Sequence, residues 1–241
     1  MFSTLKDFLL NVWRFLAYFV MDLILHVVYR AGSIGSENIP KSGGVFIASN
    51  HLSGMDIPII PYFAVSRFSS RKFYSPGKEE LFRFLPAALL FKSLRAFPIK
   101  RKSRDVAGMQ RIIDLVKDNI VVIYPEGTRS RDGILKPGQP GMGRLIYESK
   151  VNVVPTLVIN TNRLFKGKLP NFSQRMYVVF GKPLNLEPYF SREGTKDNFR
   201  QIVKYLMDEI AKLKEEYRHL DSMPHISSEK PGGQEQGNSD A

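Results

Sequence analysis

The run VFIASN, residues 45–50, is the stretch that decides how this chain folds. Its apolar residues are continuous rather than alternating, which is typical of a strand buried on both faces. Three further runs share this character: IVVIYP (120–125), VNVVPTLVIN (151–160) and RMYVVF (175–180). Amphipathic helical patterns are predicted between and after them, over residues 105–117, 139–149 and 198–218. This alternation predicts an α/β domain in which helices cover a mostly parallel sheet.

The segments between these runs complete the layout. RKFYSP (71–76) predicts a strand, and residues 79–93 predict a helix. RAFPIKR (95–101) is strand-like, but Pro98 lacks the N–H group that a central strand needs, so the segment is predicted at an edge or a bend. The segment from Gly32 to Gly44 is rich in Gly, Ser and Pro and predicts a connector.

Length and composition set the domain plan. The 241 residues suffice for one sizeable domain. We predict a membrane-associated helical anchor over 1–31, the α/β domain over 32–221, and a disordered tail over 222–241, which has almost no large apolar side chains. The absence of cysteine excludes disulfides, thiolate metal sites and cysteine nucleophiles. The four histidines are widely scattered, so no metal site is predicted.

The net charge of +12 favours an anionic partner: nucleic acid, anionic lipid or a phosphorylated substrate. Composition alone does not choose among these. The segment from Lys92 to Arg104 carries six Lys or Arg and no acid. A solvated basic face is the ordinary interpretation of such a run, and a phosphate site or a lipid-facing patch is the sharper one.

Residues 8–29 form the most apolar stretch of the chain. Its length suits a membrane span, but Arg14 and Asp22 would each cost about 2.5–3.5 kcal/mol near a bilayer centre. On a helix, the polar residues share one arc of about 120°: Asp7, Asn11, Arg14, Tyr18, Asp22 and His26. We therefore predict a helix lying in the membrane interface, anchored by Trp13, Leu16, Val20, Leu23 and Ile24. The alternatives are a membrane span and a helix packed on the protein's own core.

The segment NHLSGMD, residues 50–56, follows the first strand directly. Five positions separate His51 from Asp56, about 140° on a helix, so a helix would not pair them. The intervening Ser53-Gly54 is a turn signal that would let Asp56 fold back onto the imidazole. A carboxylate on one ring nitrogen fixes the tautomer and leaves the other nitrogen as a base. The alternative is a histidine that simply ends a strand with its hydrogen bond satisfied.

A second polar segment, YPEGTRSRDG (124–133), follows another predicted strand. Gly127 lets the backbone approach a ligand closely and turn N–H groups toward an anion. Arg129 supplies a planar fork that suits phosphate. The alternative is a polar surface loop in which Glu126 and Arg129 form an internal ion pair.

Four motifs occur in the order NHLSGMD, FPIKR, EGTRS and VVP, and together they resemble the glycerolipid acyltransferase superfamily. The closest resemblance is to the bacterial 1-acyl-sn-glycerol-3-phosphate acyltransferases, over roughly residues 30–190. The His-x4-Asp box of the family falls on His51 and Asp56, and its second block ends on Arg101. The remaining blocks fall on Glu126, Gly127, Thr128, Arg129, Val154 and Pro155. The second block departs from the family because Lys100 stands where an acid is common and Pro98 replaces a strand residue.

The resemblance implies that His51 is the general base on the sn-2 hydroxyl of lysophosphatidic acid and that Asp56 orients it. The alkoxide would attack the thioester of acyl carrier protein or acyl-CoA directly, with no other cofactor. No acyl-enzyme is expected, because the chain has neither cysteine nor a Gly-x-Ser-x-Gly elbow. Arg101 and Arg129 would hold the phosphate, with Gly127 and Thr128 in the same binding loop. Glu126 would orient Arg129 or the glycerol, and N–H groups near Gly127 would stabilise the oxyanion.

The same resemblance implies a peripheral or monotopic protein on the cytoplasmic face of a bacterial inner membrane, bound to anionic phospholipid. Other acceptors stay open: glycerol 3-phosphate, another lysophospholipid or an ornithine-type lipid. A non-catalytic lipid-binding protein is a further alternative, although it would not require the His51–Asp56 pair. Nucleic-acid binding is not predicted, because charge is its only support and no recognition motif is present.

Overall fold

The computed structural model describes residues 5–64, 72–78, 95–99, 106–167, 169–171 and 175–221. Three of the sequence predictions lie outside the described residues: the helix over 79–93, the Lys100-Arg101 pair of the second block, and the disordered tail over 222–241. They stay predictions.

Seven of the nine described strands form one sheet. In chain order the strands are β1 (Gly32–Ile34), β2 (Val45–Ser49), β3 (Phe73–Lys78), β4 (Ala96–Ile99), β5 (Ile120–Ile123), β6 (Asn152–Ile159), β7 (Phe165–Lys166), β8 (Leu169–Pro170) and β9 (Tyr177–Phe180). The order across the sheet is β1-β9-β6-β2-β5-β3-β4. Neighbours run parallel except β6 and β9. The predicted α/β fold is confirmed, and β4 lies at the edge, as Pro98 indicated.

Helices flank the sheet on both sides. They are α1 (Leu5–Asp22), which continues as a π-helix (Leu23–Val28), then α2 (Asp56–Ala64), α3 (Val106–Val116), α4 (Pro140–Ser149), α5 (Glu187–Phe190) and α6 (Lys196–Glu216). Short 3-10 helices span Ser36–Asn38, Thr161–Arg163 and Arg218–Leu220. Pro140 begins α4, where its missing N–H costs nothing. The Thr195 side chain caps α6 by accepting from the Asn198 N–H.

Both faces of the central strands are buried, which explains their continuous apolar runs. In β2, Val45 and Ile47 point into one hydrophobic cluster, and Phe46 and Ala48 point into the other. The first cluster is closed by α2 and the π-helix, with Ile59, Ile60 and Leu25. The second is closed by α3, α4 and α6, with Ile113, Ile146 and Leu206.

The predicted connector from Gly32 to Gly44 contains a strand that the sequence pattern did not reveal. β1 has three residues, GSI, and pairs in parallel with β9. At its end Gly35 has a φ of 74°, and a side chain there would meet the Phe180 carbonyl. Glycine therefore turns the chain where it passes close to a neighbouring strand. Three residues with glycine first are too few to give a strand signal.

The N-terminal helix presents its large apolar side chains outward. Exposed along α1 are Phe8, Leu9, Val12, Trp13, Phe15, Leu16, Phe19 and Val20, followed by Leu23. Toward the domain, Asp22 accepts a hydrogen bond from the Tyr62 hydroxyl of α2. Nε2 of His26 lies 3.0 Å from the hydroxyl oxygen of Tyr62. Trp13, Leu16, Val20 and Leu23 thus share the exposed face on which they were predicted.

Ile24 departs from the predicted face. It is half-buried and packs against the core cluster that contains Leu25. The helix changes from α to π at Leu23, with the Tyr29 N–H donating to the Ile24 carbonyl at 3.0 Å. At about 100° per residue Ile24 stands at the margin of the predicted apolar arc, directly before the buried Leu25, so its side chain reaches the core cluster.

Among the described residues, no helix combines the length and the apolar character needed to cross a membrane.

Candidate active site

The carboxyl ends of β2, β5 and β6 meet at one edge of the sheet, where ligand sites form in parallel α/β folds. Each strand delivers polar residues to that edge: Asn50 and His51 follow β2, Tyr124 and Glu126 follow β5, and Thr161 follows β6. These strands are adjacent in the sheet although they are far apart in the chain.

His51 and Asp56 form a direct, buried pair. Nδ1 of His51 lies 2.8 Å from Oδ2 of Asp56, and the two residues are only 4% and 0% exposed. The turn at Ser53-Gly54 brings the carboxylate back, so the predicted fold-back geometry is confirmed. Because Oδ2 of Asp56 also accepts two backbone N–H groups, it acts as the acceptor and Nδ1 as the donor of this bond; no described residue pairs with Nε2. The imidazole therefore has its second nitrogen available as a base.

Four strong donors converge on the Asp56 carboxylate. Besides the imidazole, Oδ2 accepts the N–H groups of Leu52 at 2.8 Å and Ser53 at 3.0 Å. Oδ1 accepts the hydroxyl of Thr161 at 2.5 Å. Asp56 is also the first residue of α2, where the helix dipole favours a negative charge. This surrounding satisfies both carboxylate oxygens and fixes their direction.

The face of the His51 ring lies against Tyr124. The two rings are stacked with centroids 3.9 Å apart and planes 20° from parallel. With the ring packed on one face and bonded at Nδ1, the imidazole has little freedom to rotate. Tyr124 and the Asp56 pairing together fix the direction in which Nε2 points.

The loop after β5 clamps the backbone of His51 from both sides. The His51 N–H donates to Oε1 of Glu126 at 3.2 Å, and the Ser130 N–H donates to the His51 carbonyl at 2.7 Å. The other carboxylate oxygen of Glu126 accepts the Lys136 N–H at 3.1 Å. Glu126 is 1% exposed, and burial raises the pKa of its carboxyl, which the Lys136 and His51 N–H bonds partly offset. Glu126 thus links the loop after β2, through His51, to the loop after β5, through Lys136.

Thr128 and Arg129 lie at the surface of the same loop. Gly127 has a φ of 68°, and its N–H donates to the Tyr124 carbonyl at 2.9 Å, so this N–H is used in the turn. A guanidinium nitrogen of Arg129 lies 3.8 Å from the position a Cβ would take on Gly54. The arginine thus reaches the turn between His51 and Asp56, where its charge is available to a ligand. The ligand-binding roles of these residues stay predictions.

Asn50 extends the sheet beyond the end of β2. Its Oδ1 accepts the Val158 N–H at 2.7 Å, and its Nδ2 donates to the Val158 carbonyl at 3.1 Å. The side chain thus imitates a strand partner of β6. Asn50, Tyr124 and Thr161 all shape the site, and none was singled out from the sequence. Asn50 and Tyr124 stood inside the quoted motifs, whereas nothing local marked Thr161.

The comparisons with known proteins agree with this geometry. A family model described as acyltransferase matches residues 31–159. The chain is 28% identical over 183 residues to the 1-acyl-sn-glycerol-3-phosphate acyltransferase of Borreliella burgdorferi, covering 74% of this chain and 69% of that protein. It is 26% identical over 204 residues to the Saccharomyces cerevisiae protein of the same name, covering 80% of this chain and 62% of that protein. For a chloroplastic relative from Brassica napus, at 30% identity, the match spans 43% of that protein.

A solved structure shares the fold. It is the crystal structure of the 1-acyl-sn-glycerophosphate acyltransferase PlsC from Thermotoga maritima, with a TM-score of 0.57. The match covers 76% of this chain and 72% of that one, at 24% sequence identity. At that identity the likeness supports the architecture described above.

Proposed function

Because this chain belongs to the acyltransferase family, we propose that it moves a fatty acyl group from acyl carrier protein or acyl-CoA to the sn-2 hydroxyl of lysophosphatidic acid. The product is phosphatidic acid. The buried His51–Asp56 pair, with Nε2 available, is the observation that carries the proposal. The names of the Borreliella and yeast relatives support the choice of acceptor.

In the proposed reaction, Nε2 of His51 takes the proton of the acceptor hydroxyl as its oxygen attacks the thioester carbonyl. Asp56 stabilises the imidazolium that forms, through the bond to Nδ1. The tetrahedral intermediate then collapses, and the thiolate leaves with the proton returned from His51. The acyl carbon exchanges its C–S bond for a C–O bond, with no acyl-enzyme between. General base catalysis of this kind contributes about 10²- to 10⁴-fold.

Among the described residues, we propose that Arg129 binds the substrate phosphate. Arg129 is exposed, and its guanidinium lies beside the turn that joins His51 and Asp56. Gly127 and Thr128 form the turn that presents it, and Arg101 is proposed as a second phosphate ligand. Both carboxylate oxygens of Glu126 accept backbone N–H groups. We therefore propose that Glu126 positions the loop that carries Gly127, Thr128 and Arg129, and that it affects substrate binding through these residues.

The acceptor is tested by offering alternatives to one preparation. Purified protein in phospholipid vesicles receives an acyl thioester with lysophosphatidic acid, glycerol 3-phosphate or lysophosphatidylcholine, and the products are identified by mass spectrometry. We expect phosphatidic acid to form fastest by a wide margin. Faster acylation of glycerol 3-phosphate would reassign the acceptor. Absence of product from folded protein with every acceptor would favour the non-catalytic lipid-binding alternative.

The exposed face of α1 supports a proposal for the site of action. Its apolar side chains face away from the domain, whereas Asp22 and His26 face α2. A helix with this arrangement gains stability by burying its apolar side in a lipid interface. The charge of +12 suits an anionic membrane surface. We propose peripheral attachment to the cytoplasmic face of a bacterial inner membrane.

Replacing Trp13, Leu16 and Val20 together by serine is expected to lower vesicle binding by at least about tenfold, because three large apolar side chains no longer enter the lipid. Co-sedimentation with vesicles of phosphatidylglycerol and phosphatidylcholine measures the bound fraction. Val106→Ser is the matched control, since Val106 is 69% exposed on α3, which covers the opposite face of the sheet. Equal binding by the triple variant and the parent would rule out this anchoring mode.

Thr161→Val is expected to lower kcat for acyl transfer by about 10- to 100-fold, with little change in KM. The substitution keeps the shape but removes the hydroxyl that fixes Asp56, a hydrogen bond to a charged group worth about 1.5–3 kcal/mol. Steady-state kinetics with varied acceptor concentration separates kcat from KM.

Two variants serve as controls for the Thr161 measurement. Thr161→Ser keeps the hydroxyl and is expected to restore most of kcat. Thr156→Val makes the same change at a buried threonine of β6 whose hydroxyl bonds the Val154 carbonyl instead. Should Thr156→Val lower kcat as much as Thr161→Val, the hydroxyl on Asp56 would have no special role.

A further inference from the structure

The hairpin of β7 and β8 leaves two large apolar side chains in solvent. Phe165 is 47% exposed and Leu169 is 73% exposed, whereas the preceding Leu164 is fully buried. Within the part of the chain that the structure describes, the two strands pair only with each other, outside the main sheet. An isolated two-stranded ribbon is marginally stable in water. Exposed apolar residues on such a ribbon therefore indicate a surface that is covered in the working protein.

The register of the hairpin places one large apolar residue on each of its faces. Phe165 lies opposite Pro170, and Lys166 lies opposite Leu169. Side chains alternate between the faces of a strand, so Phe165 and Leu169 lie on opposite faces of the ribbon. Gly167 has a φ of 67°, and no described atom lies within 4 Å of the place a Cβ would take. Among the described residues the turn thus has open space beside Gly167, with Leu169 next to the turn and Phe165 at the base of the ribbon, and both apolar side chains are accessible to lipid.

The base of the hairpin is tied to the N-terminal helical segment. The Leu164 carbonyl accepts the Tyr29 hydroxyl at 3.0 Å and the Asn171 N–H at 2.8 Å. Tyr29 directly follows the π-helix that continues α1, and Leu25 of that π-helix shares a core cluster with Leu164. The hairpin and the helix with the exposed apolar face therefore leave the domain at adjacent points.

The charge of this segment favours an anionic surface. Four basic residues and no acid occur between residues 161 and 175: Arg163, Lys166, Lys168 and Arg175. Arg163 pairs with Asp221 at 3.3 Å, so the lysines of the hairpin carry the argument. Basic side chains beside apolar ones are the usual composition of lipid-contacting segments, because the apolar groups enter the lipid while the cations meet the headgroups. A protein partner of ordinary composition would not require that combination.

We propose that the β7–β8 hairpin is a second lipid-inserting element, in which Phe165 and Leu169 enter an anionic bilayer beside α1. The inference rests on the membrane attachment proposed above. The hairpin begins four residues after Thr161, whose hydroxyl bonds Asp56. Two insertion points, one on each side of the Tyr29–Leu164 contact, fix the orientation of the active site toward the lipid that supplies its acceptor.

A tryptophan reporter tests the proposal without removing any apolar group. Trp13 is the single tryptophan of the chain, so Trp13→Phe with Phe165→Trp places one reporter on the hairpin. The vesicles contain phosphatidylglycerol and phosphatidylcholine with brominated acyl chains. We expect the Phe165→Trp emission to shift to the blue and to fall about twofold or more, because bromine quenches only a ring within the bilayer.

A second variant and the parent protein distinguish the possible results. Trp13→Phe with Ala211→Trp places a reporter on the exposed side of α6, across the sheet, and is expected to show no quenching. The parent protein reports from Trp13 on α1. Quenching of Trp13 without quenching of the Phe165→Trp reporter would overturn the hairpin proposal and leave the anchor intact. Quenching of neither would overturn both. A blue shift that grows with protein concentration in the absence of vesicles would assign the hairpin to contact between copies.

Discussion

His51→Ala is expected to lower kcat for phosphatidic acid formation by about 100- to 10,000-fold, because it removes the one group placed to take the acceptor proton. Nδ1 is committed to Asp56, and Nε2 is the nitrogen left to act. KM for lysophosphatidic acid is expected to change little, since the residues proposed for the phosphate, Arg101 and Arg129, are other residues. Steady-state kinetics of the purified variant in vesicles measures both constants.

His51 also packs on Tyr124, so the loss of activity must be separated from a loss of structure. Circular dichroism and thermal unfolding show whether the variant is folded, and His51→Gln retains more of the packing without a base. His219→Ala is the matched control, because His219 is exposed in the final 3-10 helix, and full activity is expected. A folded His51→Ala or His51→Gln protein with parental kcat would remove His51 from the mechanism.

Asp56→Asn is expected to lower kcat by about 10²- to 10⁴-fold and to destabilise the fold by about 1–3 kcal/mol. The carboxylate accepts from His51, Leu52, Ser53 and Thr161. An amide offers one oxygen in place of two. If its NH₂ group takes the place of Oδ2, it faces the N–H groups of Leu52 and Ser53, which cannot accept; if it takes the place of Oδ1, the Thr161 hydroxyl must change from donor to acceptor. The imidazole then loses its fixed tautomer, and buried donors lose their acceptor.

Two measurements check the Asp56 prediction: kcat in the acyl-transfer assay, and the free energy of unfolding from denaturant titration. Asp114→Asn is the control, since Asp114 is exposed on α3 and pairs only with surface groups. It is expected to leave kcat and stability near parental values. A stable Asp56→Asn protein with parental kcat would show that the carboxylate neither orients nor stabilises the imidazole.

The local part of this site was predictable from the sequence. The His51–Asp56 contact spans five residues and depends on the turn chemistry of Ser53-Gly54, which the sequence displays directly. The continuous apolar runs predicted the buried central strands for the same reason: two-sided burial leaves a local signature. Pro98 predicted an edge or a bend for β4, and the structure places β4 at the edge of the described sheet.

The contacts that the sequence did not reveal are long-range. Thr161 reaches Asp56 across 105 residues, because β6 lies beside β2 in the sheet. Glu126 was predicted to orient either Arg129, which belongs to the same motif, or the glycerol of the substrate. The structure instead gives its oxygens to the N–H groups of His51 and Lys136, which only the folded loops bring together. Strand order and loop packing decide such contacts, and local patterns do not record them.

Short elements were the other source of difference. β1 and the β7–β8 hairpin have two or three residues per strand, too few for a period-two pattern to develop. The N-terminal helix changes from α to π winding at Leu23, and Ile24, at the margin of the predicted apolar face, packs against the core. No feature of the sequence predicted that change of winding.

The dependence of thiol release on the acceptor tests the central claim, direct transfer activated by the His51–Asp56 pair, more directly than any other measurement. Purified protein in vesicles is mixed with an acyl thioester, with and without lysophosphatidic acid, and free thiol and phosphatidic acid are counted together. We expect no thiol burst without acceptor and, with acceptor, one phosphatidic acid for each thiol released. A burst equal to the enzyme concentration without acceptor, or thiol release without phosphatidic acid, would contradict the account.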